Sequence, residues 1–447
     1  MTRLPLLERG LDEVLARRGG EPVAVRSFLG EVERLAAELP ARRYAVNLCR
    51  DRYRFSVAFA AVMLAGQTNL LPANRLDTTI REVLSRYPDA YVLSDDPEDR
   101  DWPGAVIVGP DRQTRAATAI PQLDARHLAA VVFTSGSTGA SKAVEKPWST
   151  FYESTRINAR EMGLVGRDEP ISVIATVPPQ HMYGLETSVL MALFGDVAIS
   201  NERPFMPADV ASALTSVPSP RVLVSTPAHL RALADPQLTL PPIERIWSAT
   251  APLDPHLAGS IERLHGTRVG EIYGCSELGS LARRLPARDP TWALFPEFEL
   301  HTEPAGTRVG AAHLPCSFLL QDRLELDGPG RFRIIGRDED LVNVAGKRAS
   351  LAELNQALLR TPGVEDGVLF EPPEAEANGA QRLAALVVAP GVDAPAIRRS
   401  LRQEIDEAFL PRPIRRVEAL PRNETGKLTR QALLDLFARS ASPEEKS

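Results

Sequence analysis

Lysine is scarce in this chain. Five of its 52 basic residues are lysines, at 142, 146, 347, 427 and 446, and arginine supplies the rest. Where the compact ammonium does occur, it reads as required by its surroundings. Cysteine is scarce too. Cys49, Cys275 and Cys316 follow no spacing pattern, which excludes a disulfide framework and a thiolate zinc site and suits a reducing compartment. Long apolar runs are missing. The longest, 57–65, is too short to span a bilayer. The first twenty residues alternate charged and apolar positions without a signal-peptide core, so a cytoplasmic location is expected. No excess of positive charge exists either. The net charge of −6 excludes a general affinity for nucleic acid.

What the chain does have is length. At 447 residues it exceeds one ordinary hydrophobic core, so two or more domains are expected. The first 40 residues read as two amphipathic helices, 5–18 and 26–39, broken by Gly19-Gly20. Strands then alternate with helices: strands near 44–49, 69–72, 171–176, 222–225, 246–249 and 268–273, and helices near 54–64, 78–85, 151–162 and 227–233. That alternation predicts an α/β domain with a mainly parallel sheet. From 314 the texture changes. Asp327-Gly328-Pro329-Gly330 signals a hairpin, and Ser350-Leu351-Ala352-Glu353 reads as a capping box opening a helix. A helix over 394–408 and a last one over 428–438 complete a small α+β domain. The expected division is 1–337, a large N-terminal domain, and 338–447, a small mobile C-terminal one.

The most informative stretch is 128–148. An apolar strand ends at Phe133 and empties into Thr134-Ser135-Gly136-Ser137-Thr138-Gly139-Ala140-Ser141-Lys142. Glycines let backbone N–H groups turn toward an anion, hydroxyls add donors, and the lysine adds a mobile charge. The glycines are too close together for a Walker A loop. A Gly/Ser linker is the alternative, but linkers seldom follow a buried strand directly.

Three further stretches join it: IYGCSELG at 272–279, the run from Asp322 to Glu353 containing GRDEDLVNVAGKRASLAE, and LPRNETGKLTR at 420–430. In this order and spacing the four resemble the adenylate-forming superfamily of acyl-CoA synthetases, peptide-synthetase adenylation domains and luciferases. The resemblance implies that a carboxylate attacks the α-phosphate of ATP, pyrophosphate leaves, and a thiol then takes the acyl group. It implies that Thr134, Ser135, Gly136, Ser137, Thr138 and Gly139 hold the β- and γ-phosphates with Lys142. Glu277 would be the Mg²⁺ ligand, beside Gly274 and Ser276, and Tyr273 would line the adenine and acyl pocket. Asp322 would hold the ribose with help from Arg337, and Lys427 would bridge the carboxylate and α-phosphate. Ser141 stands where the family often has proline, Leu320-Gln321 replaces a flanking Thr-Gly, and Glu339 replaces the usual hinge aspartate.

His181, in PPQHMYGLE, resembles the motif histidine of aryl and fatty acid ligases, and the stretch has no aspartate to anchor an α-ammonium. Tyr183, Trp247, Ser248, Ala249, Thr250 and Gly274 would floor a short flat pocket. An aromatic acid such as a hydroxybenzoate is the expected substrate, with a fatty acid second. The short chain is similar to compact aryl-polyene and xanthomonadin-type ligases, which load an acyl carrier protein. Arg398, Arg399, Arg402, Arg412, Arg415, Arg416 and Arg422 offer a basic face for an acidic carrier, or for the phosphates of CoA. A family member without catalysis, or one using an amine acceptor, stays an open alternative.

Overall fold

A computed structural model describes residues 2–109, 115–134, 142–337, 341–344, 347–372, 382–423, 426 and 428–440, with backbone only at 337, 341, 343 and 348. The chain divides into two compact units, Met1–Glu299 with Gly310–Phe318, and Leu300–Val309 with Leu319–Ser447. The architecture is α/β, as expected from the alternation.

The first unit is built on two large sheets, with a small two-stranded one of Arg3–Pro5 and Gln122–Asp124 beside them. Six strands of the larger one run parallel, in the order Val269–Cys275, Arg245–Ser248, Arg221–Ser225, Ile171–Ala175, Val197–Ser200 and Val14–Arg18. Gly279–Leu285 and Asp289–Leu294 extend it antiparallel at one end, and Glu21–Ala24 at the other. In the other sheet Leu128–Thr134, Thr68–Leu71, Tyr44–Asn47, Ala90–Ser94 and Val106–Ile107 are parallel, and Lys142–Pro147 adds antiparallel to Leu128–Thr134. The helix Arg52–Leu64 is apolar on nearly every face. It contacts strands of both sheets, and a helix buried on all sides needs no polar stripe.

The helix expected over 5–18 does not form. Arg3–Pro5 and Val14–Arg18 are strands joined by a loop, and Gly19-Gly20 is a hairpin turn into Glu21–Ala24 with φ of 56° and 87°. Two positive φ values in a two-residue loop match the right-handed twist of the flanking strands, and glycine adopts them without a Cβ clash. The helix Val25–Glu38 follows as expected.

In the second unit Asp322–Leu326 and Arg331–Arg337 form the hairpin signalled by Asp-Gly-Pro-Gly. Asp366–Phe370, Ala384–Val388 and Ile414–Arg416 form a three-stranded sheet packed on the helices Leu351–Arg360 and Ala394–Leu401. The last helix, Arg430–Arg439, packs Leu433 against Phe370, Ala384 and Leu386. Ser350 is the N-cap of Leu351–Arg360, but its hydroxyl makes no capping bond, so the capping box is not formed. The helix from 394 stops at Leu401 rather than 408. The hinge expected at 338–340 lies outside the described residues.

Among the described residues no helix is long and apolar enough to cross a membrane.

Candidate active site

Parallel strands share an edge at their carboxyl ends, and α/β folds bind ligands there. In the first unit that edge gathers Thr250, two residues past Arg245–Ser248, with Tyr273, Gly274 and Cys275 closing Val269–Cys275. Thr250 has φ of 80°. A β-branched residue in that region carries strain, and such residues cluster at functional sites.

The hydroxyl-rich loop sits between two strands whose ends meet. Thr134 and Lys142 are register partners across its base. Ser135, Gly136, Ser137, Thr138 and Gly139 lie outside the described residues, as does Lys427. The base is anchored by its lysine: Lys142 Nζ donates to Glu277 Oε1 at 2.5 Å.

Glu277 occupies the three-residue turn between the antiparallel strands Val269–Cys275 and Gly279–Leu285. The turn closes on Gly279, with φ of 81°. A register shift falls between Tyr273 and Gly274, and such bulges re-aim side chains beside active sites. Gly274 is also a close approach: a Cβ there would meet Gly279 O at 2.2 Å. Burial works to raise the Glu277 carboxyl, but the Lys142 hydrogen bond and its own backbone N–H outweigh it and hold the group below its usual value. The carboxylate is therefore charged and half-buried at neutral pH.

A second lysine reaches the same residue. Lys146 is 2% exposed, and its Nζ donates to Glu277 O at 2.7 Å. Burial lowers its pKa, while Glu186, Cys275 and Glu277 act to keep it charged. Glu186, buried on the segment after His181, accepts from Ser280 N at 3.1 Å and Ser280 Oγ at 2.8 Å. The segment is a π-turn, Glu186–Leu190, a form often found at functional sites. Neither Lys146 nor Glu186 was singled out by motif; the scarcity of lysine was the one available signal.

His181 is the N-cap residue of the short helix Met182–Leu185 and is half-buried. Tyr183 has a buried hydroxyl without a hydrogen-bond partner. Trp247 is 1% exposed, and its ring fills the space a Cβ on Gly270 would need, 2.3 Å away. Trp247 is therefore packing, which leaves Tyr183, Thr250 and Gly274 as partly open positions among the expected pocket residues. Tyr273 packs on Trp292 with ring centroids 5.5 Å apart.

Asp322 and Arg337, the two expected ribose contacts, are direct register partners in the hairpin of the second unit. Lys347 Nζ donates to Asp406 Oδ2 at 2.6 Å. In the basic cluster, Arg422 makes a two-pronged pair with Asp366. Arg415 covers the Phe437 ring at 3.8 Å. Both are committed within the fold.

The donor set can be tested against a divalent cation. Among the described residues no group of three or more His, Cys, Asp or Glu side chains could hold a metal. Mg²⁺ does not need one, since it is usually held by one or two carboxylates together with substrate phosphates. A single charged carboxylate in contact with Lys142 fits that pattern.

The model of the AMP-binding enzyme family matches residues 41–301. The 4-coumarate--CoA ligase of Rhodobacter capsulatus is 33% identical over 304 residues, 67% of this chain and 74% of that protein. The 3,4-dihydroxybenzoate--[aryl-carrier protein] ligase of Bacillus anthracis is 22% identical over 313 residues, covering 67% and 72%. The crystal structure of ATP-bound MatB from Rhodopseudomonas palustris superposes with a TM-score of 0.81 at 18% identity, covering 96% of this chain and 97% of the other. The match covers most strands of both large sheets of the first unit and the turn that carries Glu277, and the chain belongs to the AMP-binding enzyme family of the adenylate-forming superfamily.

Proposed function

We propose that the chain activates an aromatic, hydroxybenzoate-like carboxylic acid with ATP, releasing pyrophosphate, and passes the acyl group to the phosphopantetheine thiol of an acyl carrier protein. One observation carries the nucleotide part of this reading: the Lys142–Glu277 contact, which joins the phosphate-type loop to the turn of the second motif.

Adenylation brings two anions together, so charge must be neutralised where they meet. Lys142, with the hydroxyls and N–H groups of 134–139, would hold the β- and γ-phosphates. Glu277 would hold Mg²⁺, which supplies positive charge to the departing pyrophosphate. Asp322 and Arg337 would fix the ribose, and Lys427 would bring its ammonium between carboxylate and α-phosphate. The small domain would turn about 338–340 between the half-reactions, so that one pocket serves both. His181 and Tyr183 would border the acid.

The aryl preference draws on the names of two relatives, one acting on 4-coumarate and one on 3,4-dihydroxybenzoate. Those names also frame the second reading, an aryl-CoA ligase, since one relative uses CoA and the other a carrier protein. ATP–pyrophosphate exchange over a panel of aryl, fatty and amino acids tests the first step. Exchange confined to fatty acids would overturn the aryl reading. Comparing CoA with acidic carrier proteins tests the second step. A far higher kcat/KM with CoA than with every carrier would select the CoA reading.

A further inference from the structure

We infer that Lys146 and Glu186 are positioning residues that hold the Glu277 turn from two sides and so set where its carboxylate meets a metal–nucleotide ligand. The inference rests on the reading of Glu277 given above.

Successive side chains of a strand alternate between faces, so Lys142 and Lys146, four apart on Lys142–Pro147, share one. Both ammoniums reach Glu277. The first takes the carboxylate and the second the main-chain oxygen. The outer lysine is 62% exposed on its side chain and free to exchange its partner for a phosphate. The inner one is buried, and its bond to a carbonyl survives whatever happens to the carboxylate. On the far side of the turn, Glu186 receives both the N–H and the hydroxyl of Ser280. Gly279 presses on that carboxylate so closely that a Cβ would lie 2.3 Å from Glu186 Oε1. Residues 276–278 are therefore gripped by an ammonium at Glu277 and a carboxylate at 279–280.

The chemistry of the two ends explains their types. A carbonyl needs a donor and the Ser280 N–H needs an acceptor. Burial makes each costly to charge, and each acts to favour the charged form of the other. An arginine at 146 would bring a wide planar fork to a single oxygen, whereas lysine brings a point charge. That is a reason for one of the chain's few lysines to stand there.

The experiment measures ATP affinity by calorimetry, with and without Mg²⁺, together with the thermal midpoint. Its subjects are the full-length wild type, Lys146→Met, and the charge-free pair Lys146→Met/Glu186→Gln. A displaced Glu277 turn weakens binding in the presence of Mg²⁺ by about tenfold, as loss of an outer-shell partner usually does, and changes Mg²⁺-free binding far less. The double variant removes the stranded buried charge, so its midpoint returns toward wild type while the Mg²⁺-dependent loss persists. Equal weakening with and without Mg²⁺, or recovery of affinity along with the midpoint, would overturn the inference. Wild-type protein that shows no Mg²⁺-dependent ATP affinity would instead sink the reading of Glu277 itself.

Discussion

The ammonium of Lys142 lies 2.5 Å from the carboxylate of Glu277 although 135 positions separate them. One residue ends a glycine-hydroxyl loop, and the other sits on a hairpin turn of a different sheet. Their pairing places a positive and a negative group side by side, each able to serve a different part of a magnesium polyphosphate. With Lys142 mostly exposed, the pair adds no more than about 1 kcal/mol to stability. Lys142→Ala should therefore leave the thermal midpoint nearly unchanged. It should weaken ATP binding by about tenfold or more, the usual value of a charged hydrogen bond. Calorimetric titration with ATP checks this, and a variant that unfolds early with unaltered affinity would make the pair structural.

Gly274 cannot take a side chain without moving the Glu277 hairpin. The atom a Cβ would strike, Gly279 O, is backbone. Gly274→Ala should cost about 1–3 kcal/mol by overpacking and reduce ATP–pyrophosphate exchange more than that loss alone implies. Denaturant unfolding and the exchange assay, run on the same preparation, separate the two effects.

The role proposed for Lys427 is confined to one half-reaction. Lys427→Ala should abolish adenylate formation, read by pyrophosphate exchange, and spare thioester formation from a supplied acyl-adenylate. Equal loss of both would remove Lys427 from the adenylation step.

Much of this architecture is legible in the chain because most strands are short apolar runs closed by Gly, Pro or Ser. The helix Pro227–Leu233 begins at its proline as read, and the hairpin after Asp322 follows its turn residues. Residues 14–18 were not legible as strand. VLARR fits a helix face as well as a strand, and its partner Val197–Ser200 lies far along the chain. The grip on Glu277 was hidden for a different reason. Lys146 binds a carbonyl, and Glu186 binds a backbone N–H and a serine, so no side-chain motif encodes either contact. Arg52 was missed in the same way.

Arg52 is wholly buried and donates to Ala175 O at 2.9 Å, Val177 O at 2.8 Å and the Ser188 hydroxyl. Burial, then the neighbouring Arg203, lowers its pKa to about 9. It braces the end of Ile171–Ala175, from which the chain runs on to His181. Arg52→Met would leave those acceptors unsatisfied and should destabilise the protein by about 2–4 kcal/mol, read from urea unfolding. If Arg52→Met unfolds at the wild-type midpoint, the brace is dispensable.

Glu271 gives the fold a pH dependence of definite sign. It is buried beneath the site, accepting from Leu253 N at 2.8 Å and Arg284 Nε at 2.6 Å. Burial outweighs both partners and pushes its pKa up to about 7, from an ordinary 4.5. Between those values the native carboxyl holds a proton that the unfolded one has lost. Stability therefore falls as pH rises from about 4.5 through 7, and it levels off above that range. Glutamine keeps the shape and an acceptor but cannot ionise. Glu271→Gln should gain on wild type by about 1–3 kcal/mol across this window, while groups common to both proteins cancel in the difference. Urea midpoints at intervals from pH 5 to 8 give that difference directly. A flat difference would mean that Arg284 holds the carboxylate charged throughout, with the ion pair dominating over burial.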